Sequence, residues 1–547
     1  MKTSIHCNAF AIVVTIIWAL SGLPCPSQAG EIASIEQRTS TAQVPDLWRL
    51  AQQRKSVHRL STLLMAQQVH QHLSSDEGIN ACIDWCRETA VTKVYLETFR
   101  GGFRADANFL KHAAAQFRKA GIEVSGCVTT THVGKPCEAW KEISCYTDLP
   151  TQEKLQAIFE YTAGLFDEIM IDDYWFTVCE CADCSAARIA RTVKVGEKTF
   201  RVPGDSWADY RCELMLQVSR HCILAAARRV NPKVKVIIKY PQWYDEFHVR
   251  GYDVVRQAAD FDRTWVGTEL RDYGGTWGKT PQYEGFFIMR WLGGIGGSKC
   301  GGGWYDPYGT TEHTDLEQAR QTILGGARES MLFCYGALLE ETGPKNVETL
   351  RANIPELFEV AEQVRRRPIT GIAAYKPANS DAETGRGKSV SGWLFDFVGM
   401  LGLPLALCHE FPTNASAAFF STHALKDPLF VEKLTVFVAS ERPVLITDAL
   451  ASRLEGNSLL KQKNVKVLPV PGNPESLLDM PQDELDALRA TLLAPLHRSF
   501  RAPARVALYL FKDGSWVVEN FRNESVRIEV DGIRHAIAGR GWHLNWK

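Results

Sequence analysis

The sequence predicts an α/β protein whose largest part is a (β/α)8 barrel, followed by a smaller α/β module and a short antiparallel β domain. Three observations carry this. Eight short β-like runs alternate with amphipathic helical stretches between residues 56 and 366, a rhythm that calls for parallel βαβ units. No long antiparallel meander interrupts them, and eight is the number that closes a barrel. Beyond Arg365-Arg366-Arg367-Pro368 the pattern changes, first to a second alternating segment and then to hairpin-like strands.

Taken in order, residues 1–29 stand apart from the fold. Lys2 gives a positive start, 10–23 is a mostly apolar run, and Ser27-Gln28-Ala29 sets small residues before a cut after Ala29. That is the form of a secretory signal peptide. The expectation is a secreted or periplasmic protein with no stable membrane span after cleavage, since the run falls short of the ~20 residues a span needs. A linker is read over 30–55 and the barrel over 56–366. Its strands are read at 59–69, 93–97, 123–129, 168–173, 235–240, 264–269, 285–291 and 330–335, with a β-hairpin insertion at 192–204. The second module is read over 368–478, with strands at 369–375, 404–408, 434–439 and 444–448 around a helix at 391–401. A helix from about 480 then leads into the C-terminal β domain, 479–547.

Lys+Arg of 62 against Asp+Glu of 63 leaves no basic surplus for phosphates and excludes a nucleic-acid partner. In such a barrel the ends of the strands line the mouth. Those ends read Glu97-Thr98-Phe99-Arg100, Thr129-Thr130-Thr131-His132, Asp172-Asp173-Tyr174-Trp175, Lys239-Tyr240-Pro241-Gln242-Trp243, Thr268-Glu269-Leu270-Arg271-Asp272, Arg290-Trp291 and Tyr335. Acids and aromatics on one rim suit cleavage of a glycosidic bond, which needs two carboxyl groups about an oxocarbenium-like transition state and apolar faces for sugar stacking. Asp172 and Asp173 follow the apolar run Ile169-Met170-Ile171, so alternation turns at least one to the mouth. Glu269 follows Trp265-Val266-Gly267 similarly. Trp175, Trp243, Trp291 and Trp304 are candidates for the sugar-binding wall.

Of 15 cysteines, Cys7 and Cys25 fall in the leader and leave an odd number scattered through apolar runs. That is no disulfide framework. The exception is Cys179-Glu180-Cys181-Ala182-Asp183-Cys184, three thiols spaced for a tetrahedral zinc site if a fourth arrives. Cys145 is the first candidate and Cys137 the second; a disulfide among them with one free thiol is the alternative.

In this succession the chain resembles the family 42 β-galactosidases, which join a catalytic barrel to a glutamine-amidotransferase-like trimerisation domain and a small β domain. The resemblance implies a TIM barrel followed by a flavodoxin/amidotransferase-like domain, structural zinc on Cys145, Cys179, Cys181 and Cys184, no organic cofactor, and a possible homotrimer. The family's Asn-Glu pair on strand four is replaced here by Asp172-Asp173, and its strand-seven nucleophile by Arg290. An acid on strand four with another on strand six resembles instead the α-galactosidase-type barrels. By that resemblance Asp173 is the nucleophile and Glu269 the proton donor, while Asp172, Glu97, Lys239 and Arg290 orient or charge-match the sugar. Lys239, Arg271 and Arg290 would suit an acidic or sulfated substrate. The expectation is a secreted glycoside hydrolase. Its rival is a non-catalytic glycan-binding barrel. Two carboxylates facing each other across the mouth favour the first, and acids all paired with Arg or Lys favour the second.

Overall fold

A computed structural model of the chain describes residues 46–272, 280–380 and 393–547. The signal peptide read at 1–29, most of the linker at 30–55 and the start of the helix read at 391–401 lie outside the described residues.

Eight parallel strands form the closed barrel: β1 (Arg59–Leu64), β2 (Val91–Arg100), β3 (Glu123–Val128), β4 (Glu168–Ile171), β5 (Lys235–Tyr240), β6 (Arg263–Gly267), β7 (Cys300–Tyr305) and β8 (Glu329–Leu332). Each pairs with the next in sequence, and β8 pairs with β1 at Arg59↔Glu329 and Leu60↔Ser330, which closes the ring. Its interior is one apolar cluster with a side chain from every strand, among them Leu63, Tyr95, Cys127, Met170, Ile237, Trp265, Trp304 and Met331. Side chains two residues apart on a strand share a face. The inward positions that follow are therefore Glu97, Thr129, Asp172, Lys239 and Asp306, and parity alone delivers a charged layer on top of an apolar one.

One strand differs from expectation. Residues 285–291, read as strand seven, lie inside the helix Glu284–Gly296, and the seventh strand is Cys300–Tyr305. A short apolar run fits a buried strand and a buried helix equally well. This helix is buried on almost every side because the second module packs on it; Phe287 stacks on Phe395 with centroids 5.0 Å apart. The true strand hides behind Cys300-Gly301-Gly302-Gly303. A Cβ at Gly302 would lie 2.4 Å from the Glu329 carbonyl oxygen, so close approach of β8 demands glycine there.

The second module holds five parallel strands: β9 (Ile372–Tyr375), β10 (Leu405–Cys408), β11 (Ala418–Phe420), β12 (Val444–Thr447) and β13 (Val465–Leu468). Their order, β10-β9-β11-β12-β13, is the flavodoxin-like 2-1-3-4-5. The strand read at 434–439 belongs instead to the helix Phe430–Ala439, and β11 and β13 were not foreseen. The C-terminal part is antiparallel, with Val506–Phe511, Trp516–Asn520 and Trp542–Asn545 in one sheet and Val526–Val530 with Ile533–Ile537 in another. A hairpin, Thr192–Val195 with Lys198–Arg201, follows β4. Among the described residues no helix is long and apolar enough to cross a membrane.

Candidate active site

The charged layer forms one hydrogen-bonded network across the barrel mouth. Glu97, at the end of β2 and fully buried, accepts from the Ala66 amide at 2.8 Å and from Arg100 Nε at 2.8 Å. Arg100 reaches on to Asp172 Oδ2 at 2.6 Å. Thr129 Oγ1 contacts Glu97 and, at 2.7 Å, Asp172 Oδ2. One hydroxyl has a single proton for two carboxylates. Burial, opposed by Arg100, pushes the Glu97 carboxyl upward. Asp172 has the opposite balance. Burial pushes it up, but Arg100, Lys239 and the hydrogen bonds from Asp173 and Thr129 outweigh burial and hold it at about 2. It stays ionised.

Lys239, on β5 and 1% exposed, is the hub of the other half. Its Nζ donates to Asp173 Oδ2 at 2.9 Å and to Glu269 Oε1 at 2.7 Å. Beneath it lies the Trp304 ring, its centroid 4.3 Å away, a cation–π floor that replaces lost hydration. Burial disfavours its charge, yet Asp173 and Glu269 more than offset this and raise its pKa. Burial, together with Asp172 and Glu269 and against Lys239, pushes Asp173 well above the usual carboxylate range. The two acids meet at the one ammonium. They differ in access: the Asp173 side chain is 17% exposed and that of Glu269 only 3%. Glu269 Oε2 is buried with no hydrogen-bond partner among the described residues. Gly267 makes room for it, since a Cβ there would lie 2.4 Å from Oε2.

The remaining acid is Asp306, immediately beyond β7 and missed because that strand was missed. Arg271 holds it by both oxygens at 3.0 Å. Burial pushes its carboxyl to about 6 against the pull of Arg271.

The aromatic candidates separate. Trp243 is half-buried beside the mouth, under the Arg250 guanidinium at 4.3 Å and edge-on to Phe176 at 5.5 Å. Trp304 lies below Lys239, 2% exposed. Trp175 is fully buried and donates to Ser219 Oγ at 2.9 Å, so it packs the scaffold. Arg290 and Trp291 sit on the helix Glu284–Gly296 and not at a strand end; Arg290 donates to the Leu324 carbonyl and Trp291 Nε1 to that of Lys376, at 2.7 Å. The structure does not bring these two to the mouth.

Beside the loop after β4, the sulfurs of Cys145, Cys179, Cys181 and Cys184 lie within 4.8 Å of one another. Cys145 is 3.8 Å from Cys181 and 3.5 Å from Cys184, and Cys181 is 3.7 Å from Cys184. A tetrahedron with metal–sulfur bonds of ~2.3 Å has edges of ~3.8 Å, so these residues fit a four-thiolate metal ion. No disulfide is present among the described cysteines. Outer contacts brace the set: Thr147 Oγ1 is 3.0 Å from Cys184 Sγ and 2.6 Å from Tyr210 OH. Cys137 stands outside the four, its sulfur 4.0 Å from Thr177 Oγ1.

Among known proteins the chain is 28% identical over 352 residues to the uncharacterized protein SSO3021 of Saccharolobus solfataricus, a match over 60% of this chain. It spans 57% of that relative's length. Among solved structures it is similar to alpha-L-fucosidase isoenzyme 2 from Paenibacillus thiaminolyticus, at 11% identity and a TM-score of 0.51, over 71% of this chain and 64% of that one. It is also similar to exo-beta-1,4-mannosidase Op5Man5 from Opitutaceae bacterium strain TAV5, at 11% identity, TM-score 0.44, over 88% and 91%. The first of these likenesses is one of fold. Residues 44–375, more than half of the chain, match the family model for the probable glycosyl hydrolase catalytic domain. The chain belongs to that glycosyl hydrolase family.

Proposed function

We propose that the chain is an exported glycoside hydrolase that cleaves an uncharged poly- or oligosaccharide with retention of configuration, Asp173 and Glu269 being the working pair. The observation that carries this is the shared ammonium. Two oxygens at 2.9 and 2.7 Å from one nitrogen are no further apart than those contacts laid end to end. Such a bound is compatible with the ~5–5.5 Å separation of retaining enzymes and favours it over the ~6.5–9.5 Å that leaves room for water between the acids. Asp173, the more exposed, attacks the anomeric carbon as its carboxylate, the form that Lys239 favours against burial. Glu269 gives the leaving oxygen the proton and afterwards takes one from water. Lys239 holds both carboxyl groups in place, and Asp172 fixes Arg100 and the Asp173 amide, which donates to it at 2.7 Å. Lys239 and Arg271 are engaged by acids and Arg290 lies off the mouth, so the three cations that suggested an acidic or sulfated substrate are not available for one.

The four thiolates leave no open position, so the zinc we assign to them is structural and supplies no chemistry to the reaction. Family 42 remains a resemblance in this reading, and so does a trimer. The exposed Leu425, Leu429 and Val436 of the second module would suit such contacts, and light scattering tests it. Glycan binding without turnover is the second reading, favoured by one observation: every mouth acid named above contacts Arg or Lys.

The test is kinetic. On aryl glycosides, Glu269→Gln should lose far more activity with a poor leaving group than with a good one, and the first-formed sugar should keep its anomeric configuration by NMR. Equal losses on both substrates remove Glu269 from the acid role; an inverted first product removes the retaining mechanism.

A further inference from the structure

The loop that follows β5, residues 241–253, carries Trp243 to the mouth and braces the nucleophile's own loop. Tyr252 OH donates to the Asp173 carbonyl at 2.6 Å, the Thr177 amide donates to the Arg250 carbonyl at 3.0 Å, and Trp243 meets Phe176 edge-on. Two residues beyond Trp243 this loop leaves the barrel's territory. Asp245 Oδ1 meets His423 Nε2 at 2.7 Å and Lys376 Nζ at 3.2 Å, both from the second module. Lys376 follows β9 and His423 follows β11, the adjacent strands at which the 2-1-3-4-5 order reverses. Such a reversal opens the crevice where doubly wound sheets bind their ligands. Here a side chain of the barrel fills it.

The junction is built for a fixed geometry. Lys376 is 0% and His423 1% exposed. His423 Nδ1 is 2.8 Å from Ser421 Oγ. The Lys376 ammonium lies 4.7 Å from the Trp291 ring centroid while Trp291 Nε1 holds its carbonyl, and Tyr244, next to Asp245, donates its hydroxyl to Asp396. One carboxylate oxygen of Asp245 is thus held from two sides, by the Lys376 ammonium and the His423 ring.

We infer that the second module is a working part of the carbohydrate site: Lys376 and His423 hold Asp245, and through it position Trp243 and the Asp173 loop. These are positioning residues. The inference rests on the carbohydrate-site reading for its consequence and on geometry alone for its mechanism, and the two are tested separately.

The full chain is compared with Asp245→Asn, which keeps shape, and with the double variant Asp245→Leu/Lys376→Met, which removes the carboxylate and the ammonium together. Hydrogen exchange followed by mass spectrometry needs no substrate. It should show faster exchange in 241–253 and 173–178 while the barrel strands stay protected. On the best glycoside of a panel, KM should rise ~tenfold or more with a smaller change in kcat, and in a Trp243→Ala background the same substitution should add little. Unchanged exchange in both segments, or losses that add in full to those of Trp243→Ala, overturns the inference. If Asp173→Asn abolishes turnover while the Asp245 variants match the parent, the inference alone fails. If Asp173→Asn is fully active, the hydrolase reading fails and the exchange result still decides the junction.

Discussion

Replacing Lys239 with methionine keeps the stem and deletes the charge that two buried acids share. Removing one partner of a buried ion pair costs about 3–5 kcal/mol, because the charge left behind has neither water nor a counter-ion. Here the loss must depend on pH, and its sign follows from linkage. Lys239 opposes the upward push that burial gives Asp173, so without it the folded-state pKa of Asp173 rises further above its unfolded value of about 3.9. A raised acid costs nothing below its unfolded pKa, and the cost grows as pH climbs towards the folded one. At pH 4.5 the cost from Asp173 is bounded by the titration of the unfolded chain, about 1 kcal/mol. At pH 8 the full 3–5 kcal/mol should be lost. Urea unfolding of parent and variant at the two pH values measures this directly. Equal losses at both would mean that Lys239 acts by packing and not by countering the charge of the acids it holds.

Three further predictions follow from the same geometry. Purified protein should carry about one zinc per chain by elemental analysis, and Cys184→Ser should lose it together with several degrees of thermal midpoint; a metal-free parent of equal stability would remove the site. Burial pushes Asp396 to about 8, so its native carboxyl costs stability from about pH 4 upward. Asp396→Asn should therefore raise the melting temperature more at pH 8.5 than at pH 5, and an equal shift at both would contradict the burial argument. A Cβ at Gly267 would meet Glu269 Oε2 at 2.4 Å; Gly267→Ala should displace that carboxylate, costing about 1–3 kcal/mol and most of the activity, and a variant with parental turnover would deny Glu269 its position.

What could be read in the chain was what is local. Glu97, Asp172 and Lys239 each end an apolar run, and parity carries them to the mouth together with the core residues below them. Cys179, Cys181 and Cys184 lie close together in the chain, at the start of the helix Ala182–Ile189, so their spacing was enough. Asp306 was hidden because its strand is built on glycines chosen for close backbone approach, which leaves no apolar run to see. Arg290 and Trp291 were misplaced for the converse reason: a helix covered by a second module loses its polar face and looks like a strand. The pairings that define the site were also out of reach. Arg100 meets Asp172 across 72 residues of chain and Asp245 meets His423 across 178, contacts set by ring closure and module docking and not by any local pattern.

The central claim is that Asp173 does covalent chemistry on a bound glycan. Parent and Asp173→Asn should be assayed side by side on a panel of aryl glycosides and oligosaccharides, with calorimetry for binding. The account predicts that the parent releases reducing sugar from at least one member, and that Asp173→Asn still binds that member while its turnover falls by several orders of magnitude. Parental turnover in Asp173→Asn, or a parent that binds glycans and cleaves none of them, would contradict it.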